Sequence, residues 1–324
     1  MKVLLVGLGR WGEKHLRVLR ELGVTVWVAD VADARRQWAI ARGVEPGHAV
    51  EDYRAALDRV DAVDIVTPAD SHLEIAETCL RAGKPCFVEK PLTRTAGEGR
   101  RLVAVAAETG RPVQVGHIFR FHPVTAVLHA ALASGRIGAV RYATGRFSGF
   151  KRPRTDDGVF HTDGIHYVDL FRYLLRRDPT AVSALARDFL GRGLDDLTLA
   201  VVHYGDVAVV IEASYFPPGT HRECVIVGET GSLVADYGAG TVTRHSGVHR
   251  QTPAGWEAVD AGKEELATGD AEPLRLELEA FLAACAGHRP VPVSAADGLR
   301  AVEVVEAAAE SARLGRLVTL AELG

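Results

Sequence analysis

The first twelve residues, MKVLLVGLGRWG, constrain the fold of this 324-residue chain more than any other stretch. Residues 3–6 form an apolar run of β-forming residues, and Gly7, Gly9 and Gly12 follow it in a G-x-G-x-x-G pattern. Leucines then recur at helical spacing until Gly23, a residue type typical of a helix end. A buried strand, a glycine turn and a helix in this order predict a parallel α/β sheet whose first turn accepts a pyrophosphate.

The three glycines have different roles in such a turn. Gly7 permits the tight turn, Gly9 lets the backbone approach the pyrophosphate, and Gly12 lets the helix pack closely on the strand. The N–H groups and the positive dipole end of the helix favour the phosphates. The predicted cofactor-binding turn therefore consists of Gly7, Leu8, Gly9, Arg10, Trp11 and Gly12.

A second signal for a dinucleotide is Asp30, which ends the predicted strand at residues 24–29. It lies about 20 residues beyond the glycine turn, where a carboxylate accepts hydrogen bonds from a ribose 2′-OH. A carboxylate would repel a 2′-phosphate, so Asp30 favours NAD over NADP. Arg35 and Arg36 follow closely and would weaken that preference. The alternative is that Asp30 only begins a turn.

Composition excludes several other classes of protein. The hydrophobic fraction of 47% and the charged fraction of 25% are ordinary for a globular protein. The net charge of −4 gives no drive toward nucleic acid or an anionic membrane. No apolar stretch approaches the ~20 residues of a membrane span, and the N-terminal run is too short for a signal peptide. The four cysteines and the 13 histidines show no metal-ligand spacing, so we expect reduced thiols, a cytoplasmic protein and no metal site.

Strands and helices alternate over residues 1–120, which predicts a Rossmann domain with a doubly wound parallel sheet. Further strands are expected at residues 62–67, 85–88 and 112–116. Ser71 is predicted to cap a helix that ends at Gly83, with Glu74 in the capping-box position. Ligands bind beyond the carboxyl ends of such strands. The cofactor-binding candidates at these ends are Thr67, Pro68, His72, Glu89 and Lys90.

The pattern changes after residue 139, and residues 121–324 predict an α+β substrate-binding domain. A long strand at 140–148 and a helix at about 162–175 precede six short strand-like runs joined by glycine turns, at 181–187, 197–204, 207–215, 223–228, 233–236 and 240–245. These runs predict an open antiparallel meander. Helices at 274–286 and 295–314 close the chain and could pack back on the first domain. The expected site is the cleft between the domains.

Five groups of residues together resemble the glucose-fructose oxidoreductase/inositol dehydrogenase (Gfo/Idh/MocA) family over nearly the whole chain. They are Gly7/Gly9/Gly12, Thr67-Pro68 with His72, Glu89-Lys90-Pro91, Arg120-Phe121 with Pro123, and Gly164-x-His166-x-x-Asp169. The resemblance implies NAD(P)-dependent oxidation or reduction of sugars, polyols or their derivatives. It also implies a homodimer or homotetramer, and the exposed face of the C-terminal sheet is where we expect the subunits to meet.

Lys90 is the first predicted catalytic residue. A lysine at this strand end can hydrogen-bond the reacting hydroxyl, stabilise the developing alkoxide, or lose a proton when burial lowers its pKa. The alternative is a surface lysine with its stem packed on apolar atoms. By resemblance, the peptide bond before Pro91 is cis.

His166 is the second predicted catalytic residue, at the N-terminal end of its helix, where a neutral imidazole can accept a proton. The family places an acid four residues earlier, but Thr162 stands there, with Asp163 next to it. Either residue could bind the substrate hydroxyl or orient the imidazole, and either could only cap the helix. Asp163 is therefore the third catalytic candidate, and Asp169 is another residue that could orient His166.

A basic segment suggests the charge of the substrate. Lys151, Arg152 and Arg154 could bind a diphosphate or a carboxylate, with Arg120 and His161 contributing to the same pocket. The alternative is a solvated basic loop or an ion pair between subunits.

The sequence thus predicts an NAD(H)-dependent oxidoreductase that transfers hydride between nicotinamide and a secondary alcohol or ketone of a sugar or sugar derivative, anionic or nucleotide-linked. The predicted substrate-binding residues are Arg120, Lys151, Arg152, Arg154, Thr162, Asp163 and His166. The alternatives are a neutral-polyol dehydrogenase of the inositol type and a catalytically silent dinucleotide-binding sensor.

Overall fold

Two separate β-sheets organise the chain in the computed structural model, which describes residues 1–323. They belong to two units. The first unit comprises Met1–Ile118 and Glu272–Val302, and the second comprises Phe119–Ala271 and the chain from Glu303 onward.

The strands, in chain order, are β1 (Lys2–Val6), β2 (Thr25–Ala29), β3 (Ala49–Val50), β4 (Ala62–Ile65), β5 (Cys86–Glu89), β6 (Val113–Gly116), β7 (Val140–Gly149), β8 (Ala181–Arg187), β9 (Leu197–Tyr204), β10 (Val207–Ser214), β11 (Thr220–Gly228), β12 (Gly231–Asp236), β13 (Thr241–Thr252), β14 (Gly255–Leu266) and β15 (Val318–Thr319). The α-helices are α1 (Arg10–Glu21), α2 (Asp33–Ile40), α3 (His72–Arg81), α4 (Ala96–Thr109), α5 (Pro123–Ala133), α6 (Ile165–Leu175), α7 (Pro273–Cys285) and α8 (Ala295–Leu314). None of the helices among residues 1–323 combines the length and the apolar character that a membrane span requires.

The sheet of the first unit is parallel, with the order β3-β2-β1-β4-β5-β6, and it confirms the predicted Rossmann fold. Its order reverses between β1 and β4. In such sheets, ligands bind outside the carboxyl ends of the strands at this reversal. The glycine turn follows β1, so the fold places it at the expected position.

Helix α7 completes the core of the first unit although it lies far along the chain. Its residues Leu274, Leu278 and Phe281 pack in one buried cluster with Leu5 of β1 and Val28 of β2. The sheet thus has apolar cover from a segment that follows the second unit's sheet in sequence.

The sheet of the second unit has the order β14-β13-β12-β11-β7-β10-β9-β8-β15. It is mainly antiparallel, as predicted, but it is not a simple meander, because β7 pairs with β10 in parallel. A parallel pair requires a long crossover connection. Here the chain returns to β10 through α6, β8 and β9, so β7 becomes a central strand.

Three of the places where the sequence patterns failed have a clear physical reason. Helix α5 was not predicted because its run of alanine, valine and leucine lacks a polar face. Strand β14 was missed because it is exposed along most of its length and shows no apolar alternation. The predicted capping box of α3 is wrong: the Ser71 hydroxyl donates to Pro68 O at 2.8 Å and caps no helix N–H. A capping box is instead present at the start of α4.

Candidate active site

The three glycines of the first turn are needed for different reasons. Gly7 has a φ of 95°, and a Cβ there would lie 2.7 Å from the carbonyl oxygen of Val66. A Cβ on Gly12 would lie 2.0 Å from the Gly7 oxygen. A Cβ on Gly9 would meet no protein atom of the described chain within 4 Å. Protein packing therefore requires Gly7 and Gly12, whereas Gly9 leaves open space that suits a close ligand.

Helix α1 begins at Arg10, and its N-cap residue, Gly9, has no side chain to cap it. Its first N–H groups and the helix dipole are therefore directed toward any anion at this end. Arg10 and Trp11 are exposed beside these groups, whereas Leu8 is buried. This turn fits the pyrophosphate of a dinucleotide.

Asp30 holds the glycine turn in place. One carboxylate oxygen accepts the N–H of Leu8 at 2.8 Å, and the other accepts the N–H of Ala32 at 2.9 Å. Each oxygen keeps a second lone pair, which suits ribose hydroxyls. Arg35 donates to the Leu8 carbonyl at 2.7 Å, and Arg36 donates to the Asp30 carbonyl at 2.7 Å. Both arginines are thus already engaged with backbone atoms.

His72 joins the loops after β4 and β5. Its ring nitrogens lie 2.9 Å from the carbonyl oxygens of Thr67 and Pro91, and the residue is buried. Burial lowers the pKa of His72, although the two carbonyls oppose this effect. His72, which was predicted to bind the cofactor, thus has a backbone carbonyl next to each of its ring nitrogens. Thr67 and Pro68 belong to the loop that follows β4. In the loop after β5, the peptide bond between Lys90 and Pro91 is cis, as the resemblance implied.

Lys90 follows a buried group of ionisable residues that the sequence motifs did not indicate. The Glu89 Oε2 atom accepts the Lys90 N–H at 3.0 Å, and Oε1 lies 3.2 Å from Nε2 of His15. The Nδ1 atom of His15 lies 2.9 Å from the Asp64 carboxylate. The carboxylate of Glu89, predicted to bind cofactor, is therefore held by two protein groups.

In the second unit, His166 stands in the first turn of α6, directly after a π-helical turn at Phe160–Gly164. Its ring packs against those of Phe119 and Phe147, with centroid distances of 4.9 and 5.2 Å, and the two phenyl rings also contact each other at 6.0 Å. A Cβ on Gly145 of β7 would lie 2.7 Å from the Tyr167 ring, so this glycine lets α6 approach the sheet. The two phenyl rings fix the plane of the imidazole. Such π-turns occur frequently at functional sites.

Thr162 and Asp163, both buried, have different partners. The Asp163 carboxylate accepts a hydrogen bond from Lys151 Nζ at 2.6 Å. The Thr162 hydroxyl donates to the Gly158 carbonyl at 2.9 Å and lies 3.4 Å from the hydroxyl of Tyr215. The structure thus brings Lys151, Thr162 and Asp163 together with Tyr215, a residue that the sequence had placed only at a strand end.

Two of the remaining basic candidates, Arg154 and Arg120, are also paired. Arg154 binds Asp156 at 2.6 Å, while Arg152 is exposed. The Arg120 side chain, which is 7% exposed, donates from Nε to the buried Asp169 at 2.8 Å. Arg120 and Asp169, predicted to act on substrate and on His166, thus bind each other.

His161 also has a carboxylate partner. Its Nδ1 atom lies 2.9 Å from Asp157.

The parallel sheet, the open glycine turn and the strand-end Asp30 define a protein of the Rossmann dinucleotide-binding class. Residues 1–117 match the model of an oxidoreductase family with an NAD-binding Rossmann fold, and residues 129–320 match that family's C-terminal α/β domain. The chain belongs to this family, Gfo/Idh/MocA, and is an oxidoreductase, as its motifs predicted.

Relatives of known activity match nearly the whole chain. It is 31% identical to inositol 2-dehydrogenase 1 of Saccharopolyspora erythraea, over 95% of this chain and 92% of that protein. It is 30% identical to UDP-N-acetylglucosamine 3-dehydrogenase of Acidithiobacillus ferrooxidans, over 90% of each chain. A solved structure of the latter enzyme has a TM-score of 0.83 at 26% identity, covering 97% of this chain and 98% of that one.

Proposed function

We propose that this protein is an NAD(H)-dependent dehydrogenase that interconverts a secondary alcohol and a ketone on a sugar or sugar derivative. The observation that carries the proposal is the position of Lys90. It follows β5, at the same edge of the sheet as the open glycine turn after β1. A cation there can act on an oxygen bonded to the carbon that exchanges hydride.

The cofactor would be held by the turn Gly7–Gly12, Asp30 and the loop at Thr67 and Pro68. When bound, its nicotinamide supplies the hydride chemistry. Asp30 supports NAD over NADP because its carboxylate suits a free 2′-OH. The backbone contacts of Arg35 and Arg36 support the same preference, since these guanidinium groups already have acceptors.

We assign proton transfer to His166 and stabilisation of the reacting oxygen to Lys90. The imidazole of His166 accepts the hydroxyl proton during oxidation and returns it during reduction. The Lys90 ammonium donates to the substrate oxygen and stabilises its developing negative charge. Phe119 and Phe147 hold the imidazole plane, which keeps the accepting nitrogen directed at one position.

Asp163 and Lys151 orient the neighbouring hydroxyls of the sugar. A carboxylate bound to an ammonium offers both an acceptor and donors within one rigid pair. Thr162, whose hydroxyl is already donated to a backbone carbonyl, keeps an acceptor lone pair for substrate.

Two classes of substrate fit these residues. The exposed Arg152 and Arg154 support an anionic or nucleotide-linked sugar, as does the similarity to a UDP-N-acetylglucosamine dehydrogenase. Two of the cations are paired with carboxylates, Lys151 with Asp163 and Arg154 with Asp156, so the net positive charge of this segment is reduced. This reduced charge supports a neutral polyol, as does the similarity to inositol dehydrogenases.

The proposed assembly is a homodimer or homotetramer through the second sheet. Tyr142, Leu199 and Val210 are exposed on neighbouring strands of one face of that sheet. The proposed location is the cytoplasm, which the four free thiols support.

Absorbance at 340 nm tests the function. Purified protein is incubated with NAD and with myo-inositol, aldoses, sugar acids, UDP-N-acetylglucosamine and dTDP-sugars in turn, beside Lys90→Ala and His166→Asn. We expect turnover with one class and a loss of at least 100-fold in kcat in each variant. NADH binding without turnover across the panel contradicts the proposal and favours a sensor.

A further inference from the structure

Three ionisable side chains meet inside the first unit, and two of them, His15 and Asp64, are not among the candidate site residues. His15 comes from α1, Asp64 from β4 and Glu89 from β5. His15 and Asp64 have no exposed surface, and Glu89 is 8% exposed. Both ring nitrogens of His15 face a carboxylate, at 2.9 and 3.2 Å. The edges of the Trp11 and Phe87 rings complete its surroundings.

This geometry keeps His15 doubly protonated. Two ionised carboxylates at its ring nitrogens are satisfied only by two N–H donors, which the imidazolium form has. Burial raises the pKa of Asp64, and the charge and hydrogen bond of His15 oppose that rise. Burial alone lowers the pKa of His15, but the charges and hydrogen bonds of Asp64 and Glu89 outweigh it and raise the pKa to about 10. Burial alone would raise the pKa of Glu89, yet His15 and Lys90 bring it below its ordinary value. His15 and Glu89 therefore form an ion pair at neutral pH.

Fold stability alone does not account for such a pair. Charges lose hydration on burial, and well-packed apolar side chains of similar volume stabilise a core equally well or better. The neighbouring core already contains many apolar side chains from β1, β2 and α1. A charged cluster at this position therefore indicates a role beyond packing.

The cluster acts on the turn that carries Lys90. Glu89 Oε2 accepts the Lys90 N–H at 3.0 Å while Oε1 is bound by His15. Gly116 of β6 leaves room for this carboxylate, because a Cβ there would lie 3.0 Å from the Glu89 carboxyl carbon. Both oxygens of Glu89 are thus fixed, one by His15 and one by the Lys90 backbone.

We propose that His15 is a positioning residue for Lys90, acting through Glu89, with Asp64 orienting the His15 ring. The ion pair fixes the carboxylate that holds the Lys90 N–H. It also offsets part of the negative charge of Glu89 beside the Lys90 ammonium. This inference rests on the proposed role of Lys90 in the dehydrogenase reaction.

His15 also lies on the helix that starts at the glycine turn. The cluster therefore connects the segment that receives the pyrophosphate with the segment that carries the proposed cation.

A double-mutant cycle on kcat tests the inference. His15→Gln removes the charge and keeps a donor, and it is made both in the wild type and in the Lys90→Ala background. The substrate is myo-inositol or UDP-N-acetylglucosamine, whichever the wild type oxidises. We expect kcat to fall about tenfold in the presence of Lys90 and less than twofold in its absence, with KM for NAD unchanged within twofold. The inference is overturned if His15→Gln lowers kcat by the same factor with and without Lys90, or if it lowers only the Tm and leaves kcat unchanged.

Asp64→Asn is the matched milder variant. It keeps the contact of His15 with Glu89 and removes one carboxylate charge, so we expect a loss of about threefold or less in kcat. If His15→Gln does not fold, Glu89→Gln replaces it in the same cycle, and additive effects again overturn the proposal.

A second readout needs no turnover. Cyanate modifies neutral amines, and peptide mass spectrometry gives the carbamylation rate of Lys90 at pH 8. Without His15, the Glu89 carboxylate is neither fixed nor balanced in charge, so the surroundings of Lys90 change and we expect its carbamylation rate to change at least threefold in His15→Gln. An unchanged rate contradicts the inference. A wild type inactive on the whole panel, or a fully active Lys90→Ala, instead refutes the proposed function.

Discussion

The two units hold their functional side chains in different ways. In the first, His15, Glu89 and His72 are buried and bonded to fixed protein groups. In the second, Lys151 and Arg154 form partly exposed ion pairs, whereas the ring of His166 is held by packing. Changes to buried groups of the first unit should therefore affect folding, cofactor binding or turnover, whereas changes to the ion pairs of the second should affect the choice of substrate.

The first prediction separates folding from cofactor binding within one turn. Gly12→Ala should lower the free energy of unfolding by about 3 kcal/mol, because its Cβ would lie 2.0 Å from the Gly7 oxygen. Gly9→Ala should leave that free energy within about 0.5 kcal/mol and raise the Kd for NADH at least tenfold. Urea unfolding and NADH fluorescence titration measure the two quantities. Equal destabilisation by both substitutions would contradict the assignment of Gly9 to the ligand.

The second prediction uses the charge of His15. Its folded pKa of about 10 lies above the ordinary value of 6.5, so the stability it contributes is complete below pH 6.5 and is lost as pH rises toward 10. The free energy of unfolding should therefore fall by up to about 1.4 kcal/mol per pH unit between pH 7 and 9. Urea unfolding at three pH values should show a flatter dependence in His15→Gln. The same slope in both proteins would mean that His15 is not an imidazolium.

The third prediction concerns the second unit. For an anionic or nucleotide-linked sugar, Lys151→Ala and Arg154→Ala should each raise KM about tenfold, since charge-assisted hydrogen bonds are lost. For a neutral polyol, Arg154→Ala should change KM less than twofold. Steady-state kinetics decide between them, and Arg177→Ala is the control, because Arg177 forms an exposed ion pair with Asp206 elsewhere in the unit. An equal rise in KM for Arg177→Ala would contradict the conclusion that Lys151 and Arg154 bind the substrate through their charge.

Much of the first unit was predictable because apolar residues at strand spacing and at helix spacing alternate clearly along the chain. The glycine turn was predictable because its geometry excludes larger residues at Gly7 and Gly12. Lys90 and His166 were selected by their motifs, and their roles stay predictions. His15 and Asp64 were overlooked because periodicity records apolar positions and gives no partner for a buried polar one. Asp64 inside the apolar run of β4 was the available signal, since a buried carboxylate needs a counterion or donor. The stacking of His166 depends on Phe119 and Phe147, which come from distant segments.

The discontinuous core of the first unit has a consequence for biosynthesis. Because Leu274, Leu278 and Phe281 complete that core, a fragment that ends at Ile118 would expose the apolar surface they cover. On the ribosome, the N-terminal sheet must wait for α7 while the second unit is translated, for on the order of ten seconds or more. The segment that emerges first is therefore among the last to finish folding, and part of its apolar surface stays uncovered during that interval.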